Sequence, residues 1–261
     1  MAIDQPSGAY PQRIRPEETG NLYQLAVGED AAAWRSRSRI VLSPMAAPSI
    51  MGLFGFSIAT MMVGAWQAGW YGTAATPLFL WPFVFFIGGV PQIVAAMYAL
   101  RARDGVATAV HTIWGAFWMG WTILMLLVTM HVMPAIAMGS TNKAFAFWFI
   151  GLAVVTISAT FAAFGQSLSI VVVLGTLAAG AALTAAGFWS GTLTVDRIGG
   201  WLFVISAAAA WFAATAMMLE HSFGRTILPL GKYSKAGNVP GGKATEPIQF
   251  PQGMPGVRVG Q

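Results

Sequence analysis

Cysteine is absent from all 261 residues, which excludes a disulfide, a zinc–thiolate site and a thiol nucleophile, and leaves the redox compartment unread. Charge is scarce as well. Asp, Glu, Lys and Arg make up 9% of the chain, and the nine acids are expected in tails, loops or helix ends, with none inside an apolar span. Histidine is limited to His111, His131 and His221. No G-x-S-x-G, phosphate-loop or H-E-x-x-H motif occurs, so the common hydrolase, kinase and metallopeptidase chemistries lack their residues. Neither an enzyme nor a resident cofactor or metal is expected.

What is present is apolar surface. Hydrophobic residues form 56% of the chain, more than one water-soluble core of this size can hide, so the bilayer is the expected solvent. The net charge of +5 suits basic cytoplasmic segments of a membrane protein, and no nucleic-acid partner is expected.

Residues 1–43 read as a polar cytoplasmic tail with no secretory-signal pattern. Arg35, Arg37 and Arg39 stand just before the first apolar run, which places the N-terminus inside. Six runs follow, at about 46–68, 78–100, 107–131, 144–165, 168–189 and 199–220, each near the roughly 20 residues a helix needs to cross the hydrocarbon core. The fold class is therefore an all-α integral membrane protein of six transmembrane helices, in the cell membrane, with both termini cytoplasmic. The transmembrane domain is set at 44–231, and residues 232–261 form a tail rich in Gly and Pro. Small residues at helical spacing (Ala116 with Gly120, Ala178 with Ala182 and Ala186, Ala209 with Ala213) read as helix-packing stripes. Trp66, Trp70, Trp81 and Trp201, near the span ends, read as interfacial anchors.

The stretch Ala47 to Phe56, A-P-S-I-M-G-L-F-G-F, opens the first span. Pro48 has no N–H to lose in a first helical turn, and Gly52 and Gly55 give that helix a bare face where a backbone or a small solute can approach. Polar groups at depth are neutral: Thr60, Gln92, Thr108, Thr112, Thr122, Thr156, Ser158, Thr160, Thr176, Thr184, Ser206 and Thr215. Such a set suits a small uncharged or singly charged solute better than bond-breaking chemistry. His111 with His221 admits two readings, a bis-histidine haem between helices or hydrogen-bonded packing.

Four motifs in register resemble the acetate uptake transporter family, also called the YaaH or succinate-acetate permease family. Ala47 to Phe56 is similar to its signature N-P-A-P-L-G-L-x-G-F, Phe86 to Gln92 (F-I-G-G-V-P-Q) to its F-x-G-G-x-x-Q, and Phe223 to Gly231 (F-G-R-T-I-L-P-L-G) to its F-G-R-T-x-L-P-x-G. Thr112 to Trp118 (T-I-W-G-A-F-W) is a looser match, with Trp114 where the family often has Tyr. The resemblance implies six helices per protomer, a homo-hexamer, and a path through each protomer for acetate, succinate or related short-chain carboxylates. It further implies an apolar constriction at Phe56, Trp114 and Leu177, with Ala47, Pro48, Gly52, Leu53 and Gln92 as substrate-binding candidates.

Departures from the signature are Ala47 for Asn, Ile50 for Pro and Met51 for Leu. Trp114 for Tyr is expected to narrow the path and remove a hydrogen bond. His111 and Glu220 are the candidate proton relays, so few that a channel-like or weakly coupled path is expected over a tightly coupled carrier. The alternative function is a non-transporting membrane sensor or assembly subunit that keeps the family fold.

Overall fold

The computed structural model describes residues 46–136, 138–233 and 238–241. Expectations for the tail 1–43 and most of 232–261 lie outside them. The described chain is helical: α1 (Pro48–Gln67), α2 (Thr76–Phe83), a π-helical segment (Val84–Gly89), α3 (Val90–Ala102), α4 (Gly105–Thr129), α5 (Lys143–Ala163), α6 (Leu168–Ser190) and α7 (Leu193–Phe223). With α2, the π segment and α3 as one continuous element, six helices are long and apolar enough to cross a membrane. The chain is a multi-pass membrane protein.

Local chemistry explains the helix ends. Pro48 opens α1 in its first turn, and Ala47 at the N-cap makes no side-chain bond. Arg103, at φ 59°, ends α3, and the carboxylate of Asp104 then accepts from Ala107 N–H (2.9 Å) to start α4, so the turn between two spans takes two residues. Asn142 caps α5 in the same way through Phe145 N–H (3.0 Å). Helix α6 has no side-chain cap. Its Leu168 and Ser169 N–H groups donate to the carbonyls of Gly231 and Leu230, so the segment after α7 folds back and satisfies them.

The second span is interrupted for a stated reason. Pro82 and Pro91 have no N–H to donate within the helix, and the turns between them widen into the π segment. The carbonyl of Ile87, four residues before Pro91, lies against α1 at Gly55, where a Cβ would stand 2.4 Å from it. Only glycine lets α1 pass there.

The spans close into a ring: α1 packs on α3, α3 on α4, α4 on α5, α5 on α6, α6 on α7, and α7 back on α1, with α4 against α5 the loosest contact. Helices α1, α4 and α6 all begin on one face, called near; the far face carries Gln67, Thr129 and Ser190.

Two expectations are corrected here. Helix α7 begins six residues before the expected 199, so Asp196 sits in its first turn, and Glu220 also lies within it. Asp196 is fully buried, so this helix does carry acids. The packing stripe expected on α6 is shifted in phase as well. The buried face of α6 is Ala178, Ala181 and Ala185, whereas Ala182 and Ala186 are exposed. Spacing alone does not say which way a stripe faces.

Candidate functional site

Helical rise sets the depth of the centre. Phe56, Trp114 and Leu177 stand eight or nine residues into α1, α4 and α6, about 12–14 Å from the near ends of three helices that start together. All three are among the largest fully buried side chains. The Phe56 and Trp114 rings meet edge to face, with centroids 6.2 Å apart, and Phe117 and Phe203 pack on Trp114 from other sides. With Trp where the family often has Tyr, the position still makes a side-chain hydrogen bond of its own. Trp114 Nε1–H donates to Thr156 Oγ1 (3.0 Å), and that hydroxyl donates in turn to Leu152 O (2.6 Å), which fixes the indole to α5.

Toward the near face the space is filled. The imidazole of His111 occupies the room left by Gly52, where a Cβ would lie 2.5 Å from Cε1 and Nε2. His111 Nδ1 lies 3.4 Å from Gln92 Oε1, and Gln92 Nε2–H donates to Gly88 O (2.8 Å). Gly52, Gln92 and His111 therefore come together, with Leu53 buried on the same turn of α1. Other candidates stand apart. Ala47 is exposed at the mouth, with half-buried Pro48 beside it. Glu220 pairs with Lys232 Nζ (3.0 Å), and His221 is exposed at the end of α7, away from the buried setting of His111.

Toward the far face there is room. A cavity of about 50 Å³ lies over Trp114, walled by Phe117, Phe149, Phe203 and Trp121. Thr60, Gln67, Thr184 and Trp118 are also among the residues around it. Gln67 Nε2 donates to Thr184 Oγ1 (2.8 Å) and to the backbone carbonyl of Asp196 (2.9 Å), tying α1, α6 and α7 together. Thr60 Oγ1 and Trp118 Nε1 are buried without a hydrogen-bond partner.

Asp196 and Trp118 were given no site role by sequence reasoning, and Thr156 entered only as one of several neutral polar groups at depth. A signal for Trp118 existed, since it follows Trp114 by four residues and shares its helix face. Nothing in the sequence marks Thr156 as the partner of Trp114 or Asp196 as buried.

Comparison with known proteins agrees with this architecture. The chain is 27% identical over 190 residues to the succinate-acetate/proton symporter SatP of Escherichia coli strain K12, spanning 72% of this chain and 96% of that protein. An uncharacterized protein of Methanothermobacter thermautotrophicus is 25% identical over 200 residues, 75% of this chain and 96% of that one. Among solved structures, that of the bacterial acetate channel SatP superimposes with a TM-score of 0.64 at 24% identity, covering 72% of this chain and all of that chain, which establishes the shared fold. The profile of the GPR1/FUN34/yaaH family matches residues 36–231, three quarters of the sequence, and the chain belongs to that family.

Proposed function

We propose that the protein is a membrane transporter or channel for acetate and related short-chain carboxylates, with a path along the axis of the helix ring that closes at Phe56, Trp114 and Leu177. The observation that carries this reading is the layering along that axis. Three bulky apolar side chains share one depth, a cavity lies on their far side, and the Gly52, Gln92 and His111 cluster lies on their near side. The relative in Escherichia coli, named a succinate-acetate/proton symporter, supplies the substrate class.

The mechanism follows from desolvation. At neutral pH a carboxylic acid of this kind is almost entirely anionic, with a pKa near that of a side-chain carboxyl. An apolar ring offers nothing to replace its hydration shell, so passage at the constriction sets the rate. Rotation of Trp114 away from Phe56 requires release of its bond to Thr156, which makes that bond the latch of the closed state. His111, buried beside Gln92, is the proposed proton relay, and no catalytic chemistry is assigned to the chain. On the near face lie Arg101, Arg103 and Arg225, against Lys143 and Arg197 on the far face, which supports a cytoplasmic near face and termini. Assembly as a homo-hexamer belongs to the same proposal, with exposed Phe79, Phe83 and Phe86 free to meet lipid or a neighbouring protomer.

The test is labelled acetate flux into liposomes containing the purified protein, beside a Phe56→Ala variant. Saturable acetate flux that rises in the variant supports a gate at Phe56, while unchanged flux moves the gate elsewhere. If neither acetate nor succinate moves in any condition, the non-transporting sensor or assembly subunit replaces this reading.

A further inference from the structure

The far mouth of the helix ring is crossed by chain. Helix α4 ends there at Thr129 and α5 begins there at Lys143, yet residues 138–142 between them are fastened to other helices. Gly139 N–H donates to Asp196 Oδ2 on α7 (2.9 Å), and Asn142 N–H donates to Phe188 O on α6 (2.8 Å). Missing side chains let this strap lie close: a Cβ on Gly139 would stand 2.9 Å from Leu193 Cβ, and one on Gly191 would stand 2.9 Å from Thr141 Oγ1. In the ring of six spans α7 stands opposite α4. A segment that follows α4, is tied to α7 and leads into α5 therefore passes over the opening.

The underside of the strap meets the cavity. Met138 is half-buried, packs against the core and lines the cavity, as do Phe145 and Phe188, whose rings meet with centroids 5.0 Å apart. The acid that holds the strap is placed at a cost. Asp196 is fully buried in a membrane span, with its Oδ1 against Gly187 and without a hydrogen-bond partner. Carboxyl groups in such places are rare unless they have a task. Its backbone carbonyl accepts from Gln67 Nε2, which also donates to Thr184 Oγ1, and Gln67 and Thr184 both border the cavity. Asp196 thus joins the strap to the cavity wall.

We infer that residues 138–142 form an outer gate over the far end of the cavity, and that Asp196 is the positioning residue that latches it through Gly139 N–H. This rests on the transport reading above, whose path it closes a second time. The constriction bounds the cavity on the near side and the strap bounds it on the far side, so a solute between them is enclosed by two closures in series. The strap must lift before the cavity exchanges with the far solution, and lifting it breaks the bond to Asp196.

The absence of cysteine allows a direct test, because one introduced thiol reports alone. Val63→Cys places it in the cavity wall, and Leu53→Cys places it one turn to the near side of Phe56. The full chain, solubilised, is treated with a small cationic methanethiosulfonate, and the rate of modification is followed by mass spectrometry. Loss of one hydrogen bond to a carboxyl oxygen predicts that Asp196→Ala raises the rate at Val63→Cys by about 10-fold and leaves the rate at Leu53→Cys unchanged. Asp196→Asn, which keeps an acceptor for Gly139 N–H, restores the slow rate. Met138→Ala, which trims the gate and leaves the latch, also speeds modification at Val63→Cys and covers the case in which Asp196→Ala does not fold. An unchanged rate at Val63→Cys in the variants that fold, or an equal rise at Leu53→Cys, which would mean general loosening, overturns the gate. Modification needs no transport, so it decides the latch whether or not acetate moves, and acetate uptake by the unaltered protein tests the transport reading separately.

Discussion

The two halves of the ring's interior, on either side of the Phe56–Trp114 contact, are built differently. On the near side every polar group named has a neighbour: His111 fills the space over Gly52 and meets Gln92, and Gln92 bonds Gly88. On the far side there is a cavity, with Thr60 and Trp118 left unpaired on its wall. The lesson is that polarity alone does not mark a solute site. A paired polar cluster is packing until something displaces it, whereas an open space is room that the side chains around it leave unfilled.

This contrast can be broken by substitution, read as thermal unfolding of the purified protein. The largest effect is expected at Gly52→Val, which drives a side chain into the His111 ring and should cost about 2–3 kcal/mol. Unfolding at the original temperature would mean that the near side has slack. Next comes Gln92→Leu, which removes the neighbour of His111 Nδ1 in a fully buried setting, at a cost of about 1–3 kcal/mol. A smaller loss, about 1–2 kcal/mol, is expected from Thr156→Val, because Trp114 Nε1–H is left without its acceptor; acetate flux should rise at the same time if that bond holds the gate shut.

Ala47→Asn should have the opposite sign. It supplies the missing cap of α1 and stabilises by about 0.5–1 kcal/mol, unless the new side chain turns to the solute, in which case acetate flux changes and the unfolding temperature does not. Smallest of all should be Thr60→Val on the far side, within about 0.5 kcal/mol of the unaltered protein, since no hydrogen bond is lost and a buried, unpaired hydroxyl disappears. A large loss there would show that Thr60 has a structural partner and would erase the difference between the halves.

Much of this organisation is legible in the chain. Six apolar runs are announced by hydropathy, and each is local: a span needs only length and lack of charge. Helix starts at Pro48, Asp104 and Asn142 follow from residues that act within one turn. Family motifs point to Phe56 and Trp114 because a short pattern carries its own register. The start of the last helix was harder. Asp196 reads as a loop acid by charge, yet it is buried in α7 beside Gly139 N–H and Gly187, residues distant in sequence.

The sequence by itself determined the number of spans, their ends to within about three residues except at the start of the last, and the solvent they need, since these depend on composition over a single turn or run. Tertiary structure decided which face of each span looks inward. In a bilayer the outer face is as apolar as the core, so hydropathy does not set the phase of the helix. Phe56 is buried while Phe83 and Phe86 are exposed, although all three are the same residue in apolar runs. The Trp114–Thr156 bond, the filled near side and the open cavity beside Thr60 and Trp118 all depend on that phase, because each joins helices whose relative rotation is settled only when the ring closes.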